Sequence, residues 1–215
     1  MAHDEQLPPR SPPAQRWESP WSPELDEQLG REGFERVRLL HQMRRTLPLP
    51  DELRTPAPPT GVRAWRDTDA DEFLEVNNRA FAWHPEQGGW DRQRLDVERA
   101  HDWFDPEGFL VHEGEDGRID GFCWTKVHPE LGEDHPDGPR PAAGEIYVIA
   151  ADPSTHGTGL GRALTVAGLD HLATRGLGLG MLYVEADNLP AVRLYRQLGF
   201  EVHHSDAGYA RRAPR

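Results

Sequence analysis

A chain of 215 residues with a formal net charge of −13 at neutral pH is long enough for one sizeable core plus an extension. Its acidity excludes general binding to nucleic acid or anionic membranes, so a polyanion must meet a locally basic or N–H-rich surface. Cys123 is the single cysteine, which rules out an intrachain disulfide; with no secretory leader and no apolar run of membrane-spanning length, the expectation is a cytoplasmic protein.

Residues 1–23 are rich in proline, charge and small polar side chains, a composition expected to stay disordered. Residues 24–47 differ, with Leu25, Leu29, Phe34, Val37, Leu39 and Leu40 as apolar positions. Gly33-Phe34-Glu35 is repeated as Gly199-Phe200-Glu201, and Arg44-Arg45 follows the first much as Arg211-Arg212 follows the second. Either this is chance, or 24–47 is the remnant of an earlier unit, its last helix and strand. The prolines of 48–60 make that stretch an extended, semi-rigid linker.

The body begins at Gly61 and runs to residue 215. Residues 62–65 read as a strand, and Asp67 or Thr68 can cap a helix bearing Phe73, Val76 and Ala80. A loop bounded by Trp83 and Trp90 leads to a second helix over about 91–103. Residues 109–113 and 119–128 alternate as strands around an Asp116-Gly117 turn. An acidic, Gly/Pro-rich loop at 129–143 is expected to be mobile. Next come an apolar strand at 146–151, a glycine cluster, and a helix with Leu160, Leu164, Ala167 and Leu172 at helical spacing. Residues 179–185 form another strand. Asp187 then caps a helix over 188–198 that Gly199 ends, and short strands at 200–204 and 207–211 close the chain. The order β-α-α-β-β-β-α-β-α-β-β predicts an α/β, or α+β, layered domain, not a doubly wound sheet.

The chemistry gathers between Glu145 and Arg175. Glycines 157, 159 and 161, standing between a strand and a helix, let backbone approach a ligand and leave free N–H groups at the helix start, an arrangement suited to a pyrophosphate. A nucleotide P-loop would need a lysine that is absent, and the dinucleotide pattern fails because Leu164 stands where a third glycine is required. A plain tight turn before a packed helix stays open. Glu145 starts the central strand, where alternation places it on one face with Tyr147 and Ile149. A carboxylate there suits a general base; a solvated strand end is the alternative. Tyr195 lies seven residues after Asn188, on the same side of the last helix. It suits a proton donor, or a buried ring bonded at its tip. Cys123, within an apolar run, reads as a buried small residue. The histidines show no compact metal spacing, so no metal is expected.

Two segments carry a family resemblance. His156-Gly157-Thr158-Gly159-Leu160-Gly161 resembles the [Q/R]-x-x-G-x-[G/A] coenzyme A loop of the GNAT N-acetyltransferases, with His156 replacing the usual Gln or Arg. Asn188 to Phe200 resembles that family's N-x-x-A-x-x-x-Y-x-x-x-G-F segment. The resemblance implies a GNAT fold, a mixed and mostly antiparallel sheet flanked by helices, and acetyl-CoA as the acetyl donor. It implies that Ile149, Ala150 and Ala151 contact the pantetheine arm where two strands splay apart. It implies that His156, Gly157, Thr158, Gly159, Leu160, Gly161 and Arg162, with Asn188, Leu189, Pro190, Ala191, Val192 and Arg193, hold coenzyme A, and that Tyr195 protonates the leaving thiolate.

FAWHPEQGGW (81–90), WFDPEG (103–108), GFCWTKVH (121–128), GEIYV (144–148) and MLYVEADN (181–188) are similar to the mycothiol synthase branch of that family. This similarity implies acetylation of the cysteinyl amine of a cysteine–glucosamine–inositol conjugate, with Glu86, Lys126, Glu145 and Tyr183 contacting it. Mycothiol synthases resemble two GNAT domains in tandem, so 24–47 then reads as the end of a first domain that this chain is too short to carry. The expected partners are acetyl-CoA and a small amine, with the chain acting as a monomer. The alternatives are a GNAT enzyme for another small amine or a protein N-terminus, and a non-catalytic coenzyme A-binding module.

Overall fold

The computed structural model describes residues 14–54, 61–82, 84, 87–135 and 138–212. One eight-stranded sheet runs through them in the order β1-β8-β2-β7-β6-β5-β4-β3. The strands are β1 (Arg16–Glu18), β2 (Phe34–Thr46), β3 (Val62–Ala64), β4 (Phe109–Glu113), β5 (Ile119–His128), β6 (Ala143–Ala151), β7 (Leu179–Glu185) and β8 (Glu201–Arg211). All neighbours are antiparallel except β6 and β7. The helices are α1 (Pro23–Arg31), α2 (Ala70–Ala80), α3 (Arg92–Arg99), α4 (Leu160–Thr174) and α5 (Leu189–Gln197).

Two apolar layers cover the sheet. On one side, α2 and α3 bring Phe73, Val76 and Leu95 onto Phe109, Phe122 and Trp124. Trp65, Phe109 and Trp124 form a continuous stack with centroids 4.4 and 4.3 Å apart, and Phe73 meets Phe109 edge-on. On the other side, α4 and α5 bury Leu164, Leu169, Leu172, Val192, Tyr195 and Leu198 against Cys123, Ile146 and Leu182. Small residues let α4 lie close to the sheet: a Cβ on Gly168 would stand 2.5 Å from Cys123 Sγ, and one on Gly144 would stand 2.6 Å from a Leu172 methyl.

Several expectations need correction. Within 1–23, residues 16–18 are a strand, paired with β8 through Trp17 and Gly208. Residues 24–47 hold a helix and a strand, as the sequence reading has them, and both are built into the sheet layers: α1 packs Leu29 onto Ala207 and Tyr209, and β2 lies between β7 and β8. The linker is also anchored at its start, since Leu47 and Leu49 are buried in the α4/α5 layer; residues 55–60 lie outside the described residues. The closing strands are one strand, β8, because β2 pairs with it along its length, across two register shifts. Asn188, not Asp187, caps α5, its side chain accepting from the Ala191 N–H at 3.3 Å. Asp69 stands at the start of α2, one residue beyond the expected caps.

The GFE repeat is structural. In both copies a glycine with positive φ, Gly33 at 85° and Gly199 at 80°, turns a nine-residue helix into a long strand. The match extends backwards: Ser22 and Asn188 cap their helices through the same bond to the third helical N–H, and a short strand precedes each. The repeating unit is therefore β-α-β, and the two long strands lie antiparallel side by side.

Candidate active site

The centre of the sheet holds a split. Parallel pairing of β6 and β7 runs from Gly144–Gly180 through Glu145–Met181 to Ile146–Leu182 and stops, although β6 continues to Ala151 and β7 to Glu185. Beyond Ile146 the polar backbone groups of β6 that face away from β5 have no strand opposite them among the described residues. Ile149, Ala150 and Ala151 lie on this stretch, where a splay was expected.

The split coincides with a β-bulge. Trp124 pairs with Val148 but Thr125 pairs with Ile146, so Tyr147 is an extra residue in β6. The bulge changes the alternation. Glu145 and Tyr147 face the α2/α3 side, whereas Ile149 packs on the α4/α5 side. The expectation that all three share a face is thus corrected.

On the α2/α3 side, Glu145 sits directly between Lys126 on β5 and Met181 on β7. It is buried, at 7% exposure, and His128 Nε2 lies 2.6 Å from its Oε2. The Lys126 ammonium rests 4.5 Å from the Trp103 ring centroid and 5.2 Å from that of Tyr147. Tyr147 donates to Glu98 at 3.2 Å; burial first, then the Glu98 charge, push its hydroxyl up to about 12. Tyr183, half exposed, accepts from Gln42 Nε2 at 2.6 Å, and Gln42 in turn accepts from Arg44 Nε at 2.6 Å. Arg44 pairs with Met181 across β2 and β7, so it shares the Glu145 face, with Cα atoms roughly 10 Å apart at two strand spacings. Gln42, Arg44 and His128 extend this polar face beyond the residues singled out in the sequence. Glu86 lies outside the described residues.

On the α4/α5 side stands Tyr195. It is buried, packs on Phe200 with centroids 5.8 Å apart, and has no hydrogen-bond partner for its hydroxyl among the described residues. Burial above all, with the Cys123 thiol nearby, pushes that hydroxyl well above the usual phenol range, so it keeps its proton at any physiological pH. Burial raises the Cys123 thiol likewise, which suits a packing role. Gly199 ends α5, and Arg45 of β2 fastens the helix end by donating to the Leu198 carbonyl.

The glycine loop closes the open end of the split. Asp152 organises it, accepting from Ser154 N–H at 3.0 Å and Ser154 Oγ at 2.6 Å, while Arg79 donates to its other oxygen at 2.7 Å. Gly157 and Gly159 have φ of 81° and 89°, which side chains rarely adopt. A Cβ at Gly161 would meet nothing within 4 Å among the described residues, so packing inside the protein does not call for glycine there and the backbone stays open to approach. α4 starts at Leu160, leaving its first-turn N–H groups without carbonyls one turn back. A cleft of about 470 Å³ borders this turn, with Thr155, Thr158 and Arg162 in its wall. Loop, helix start and positive dipole end together fit a pyrophosphate. Asn188, Leu189, Pro190, Ala191, Val192 and Arg193 form the cap and first turns of α5; Leu189 and Arg193 are exposed, while Val192 is buried.

The model of the acetyltransferase (GNAT) family matches residues 70–200. The chain belongs to this family. Among this GNAT chain's relatives, a mycothiol acetyltransferase of Segniliparus rotundus is 43% identical over 93% of this chain and 74% of its own length. Those of Acidimicrobium ferrooxidans and Rhodococcus jostii are 48% and 45% identical, over 85% and 93% of this chain. The chain spans 57% and 65% of the length of these last two. Among solved structures, a GCN5-related N-acetyltransferase from Sphaerobacter thermophilus matches with a TM-score of 0.65 and 25% identity, covering 87% of this chain and 56% of that one. A tandem GNAT protein from the clavulanic acid biosynthesis pathway matches with a TM-score of 0.57 and 19% identity over 91% of this chain and 60% of that one, a likeness of fold.

Proposed function

We propose that this chain transfers the acetyl group of acetyl-CoA to the cysteinyl amine of a cysteine–glucosamine–inositol conjugate, forming mycothiol. The observation that carries the acetyl-transfer reading is the placement of Glu145 and Tyr195 on opposite faces of the sheet, either side of the β6–β7 split. A thioester threaded through that split is open to an amine on one face and to a proton donor on the other. The relatives' shared name supports the acceptor.

In this reading the glycine loop and the start of α4 hold the pyrophosphate through backbone N–H groups, and 149–151 bind the pantetheine arm in strand-like fashion. Glu145 takes a proton from the acceptor ammonium, freeing the nitrogen to attack the thioester carbonyl. An α-amine has a reference pKa of about 7.7–8.0, so a modestly placed carboxylate suffices. As the C–S bond breaks, Tyr195 donates to the departing sulfur; holding its proton firmly, it acts mainly as a hydrogen-bond donor. Lys126 and Tyr183 flank Glu145 and contact the acceptor, with Glu86 reaching it from its loop. Residues 61–212 make the catalytic unit, completed by β1, α1 and β2; the protein works in the cytoplasm as a monomer without a metal.

The test is coenzyme A release by the purified chain with the conjugate against a panel of small amines and N-terminal peptides. Preference for the conjugate is the expected result. Turnover of another amine alone contradicts the acceptor and keeps the reaction class. Binding of acetyl-CoA by calorimetry, with no turnover of any amine, contradicts both.

A further inference from the structure

We infer that His128 passes the proton collected by Glu145 out to solvent. The inference deepens the acetyltransferase reading and rests on it. An acceptor ammonium loses one proton before attack and a second as the N–C bond forms. One of the two ends on the coenzyme A sulfur; the other must leave the site in every turnover.

Glu145 is poorly placed to release it unaided. Its side chain is 9% exposed, on a face that a bound acceptor covers further, and Lys126 and Met181 stand on its flanking strands. His128 supplies the exit. Its Nε2 touches Glu145 Oε2 at 2.6 Å, while its side chain is 37% exposed, four times as open as that of Glu145. It sits at the end of β5, two residues past Lys126 on the same face, where the sheet meets the 129–143 loop. Imidazole is built for the task, since it accepts at one nitrogen and releases at the other. Glu145 Oε1 has no partner among the described residues and remains for the amine or its bridging water. Lys126 on β5, Tyr147 on β6 with Glu98 on α3, Tyr183 on β7 and Arg44 on β2 are other titratable groups of this face, with Glu185 on β7 and His204 and Asp206 on β8 farther along it. None of them is seen bonded to Glu145. His128 is thus a positioning residue: it fixes one oxygen of the base and clears its proton.

The experiment compares kcat of the wild type, His128→Gln and His128→Ala, using whichever amine the wild type turns over best, with and without added imidazole. Gln can hold the Glu145 oxygen by its amide but cannot carry a proton through. The expected result is a kcat about 100-fold lower in both variants, at the lower end of what proton-transfer groups contribute, with KM for acetyl-CoA unchanged. Imidazole should restore the rate of His128→Ala in proportion to its concentration. Full kcat in His128→Gln overturns the inference, because holding Glu145 then suffices. Loss of kcat in His128→Ala that no imidazole restores overturns it as well. A wild type that turns over no amine contradicts the acetyltransferase reading itself and the relay with it, so the two failures are told apart before any variant is made.

Discussion

Glu145, His128, Tyr183, Gln42 and Arg44 form one polar strip across four strands, joined by side-chain bonds from His128 to Glu145 and from Arg44 through Gln42 to Tyr183. Gln42 is the link that fixes Tyr183. Replacing it by Leu removes a bond to a half-exposed hydroxyl, worth about 0.5–1.5 kcal/mol, and leaves Arg44 without its acceptor. We expect KM for the acceptor to rise about 3- to 10-fold, with KM for acetyl-CoA unmoved; steady-state kinetics with each substrate varied in turn checks this. The sequence points to Glu145 and Tyr195 because each sits inside a local motif with fixed spacing. It does not point to Gln42, Arg44 or His128. Their partners lie 141, 2 and 17 residues away, and two of these bonds depend on strand register, which local pattern does not carry. The bulge at Tyr147 escaped for the same reason: strict alternation put Ile149 beside Glu145, and one extra residue moved it to the other face.

At the level of elements, the glycine turn and α4 divide two roles of glycine. Gly161 faces open space, so Gly161→Asp should leave the fold intact while placing a carboxylate where phosphate charge belongs. Saturating coenzyme A at 100 times its Kd stabilises a binding-competent protein by about 2.7 kcal/mol. Thermal melts should show that shift in the wild type and lose it in the variant; an equal shift in both would contradict the anion site. Gly168 is the opposite case. Gly168→Ala puts a methyl 2.5 Å from Cys123 Sγ and 2.7 Å from an Ile146 methyl, and overpacking of this kind costs about 1–3 kcal/mol. Urea unfolding should show it as a lower midpoint at an unchanged slope. Strands at 109–113, 119–128 and 179–185 were readable to the residue, because alternation and the Asp116-Gly117 turn bound them locally. The single strand β8 was not, since the turn-like Ser205-Asp206 is overridden by pairing with β2.

For the whole molecule, the segment with the least secure reading proves central. β2 is 13 residues long and separates β7 from β8, with Arg38 donating to Glu185 at 2.8 Å and Arg45 donating to the end of α5. Its GFE signal was visible in sequence, but that the repeat pairs with its own copy is a property of the sheet. Removing residues 1–47 would expose the facing edges of β7 and β8 and uncover Met43's neighbours in the core. We expect such a chain to aggregate or to melt without cooperativity, as gel filtration and calorimetry would show; a trimmed chain with wild-type kcat would contradict the role given to β2.

The account stands on acetyl transfer across the β6–β7 split, with Glu145 on one face and Tyr195 on the other. The most direct test is kcat for coenzyme A release by the wild type, Glu145→Gln and Tyr195→Phe under saturating acetyl-CoA and acceptor. Each substitution is close to isosteric, so the folded protein should survive. A fall of about 10²–10⁴-fold in each, with acetyl-CoA binding retained, is the predicted result. Wild-type kcat in both variants would contradict it.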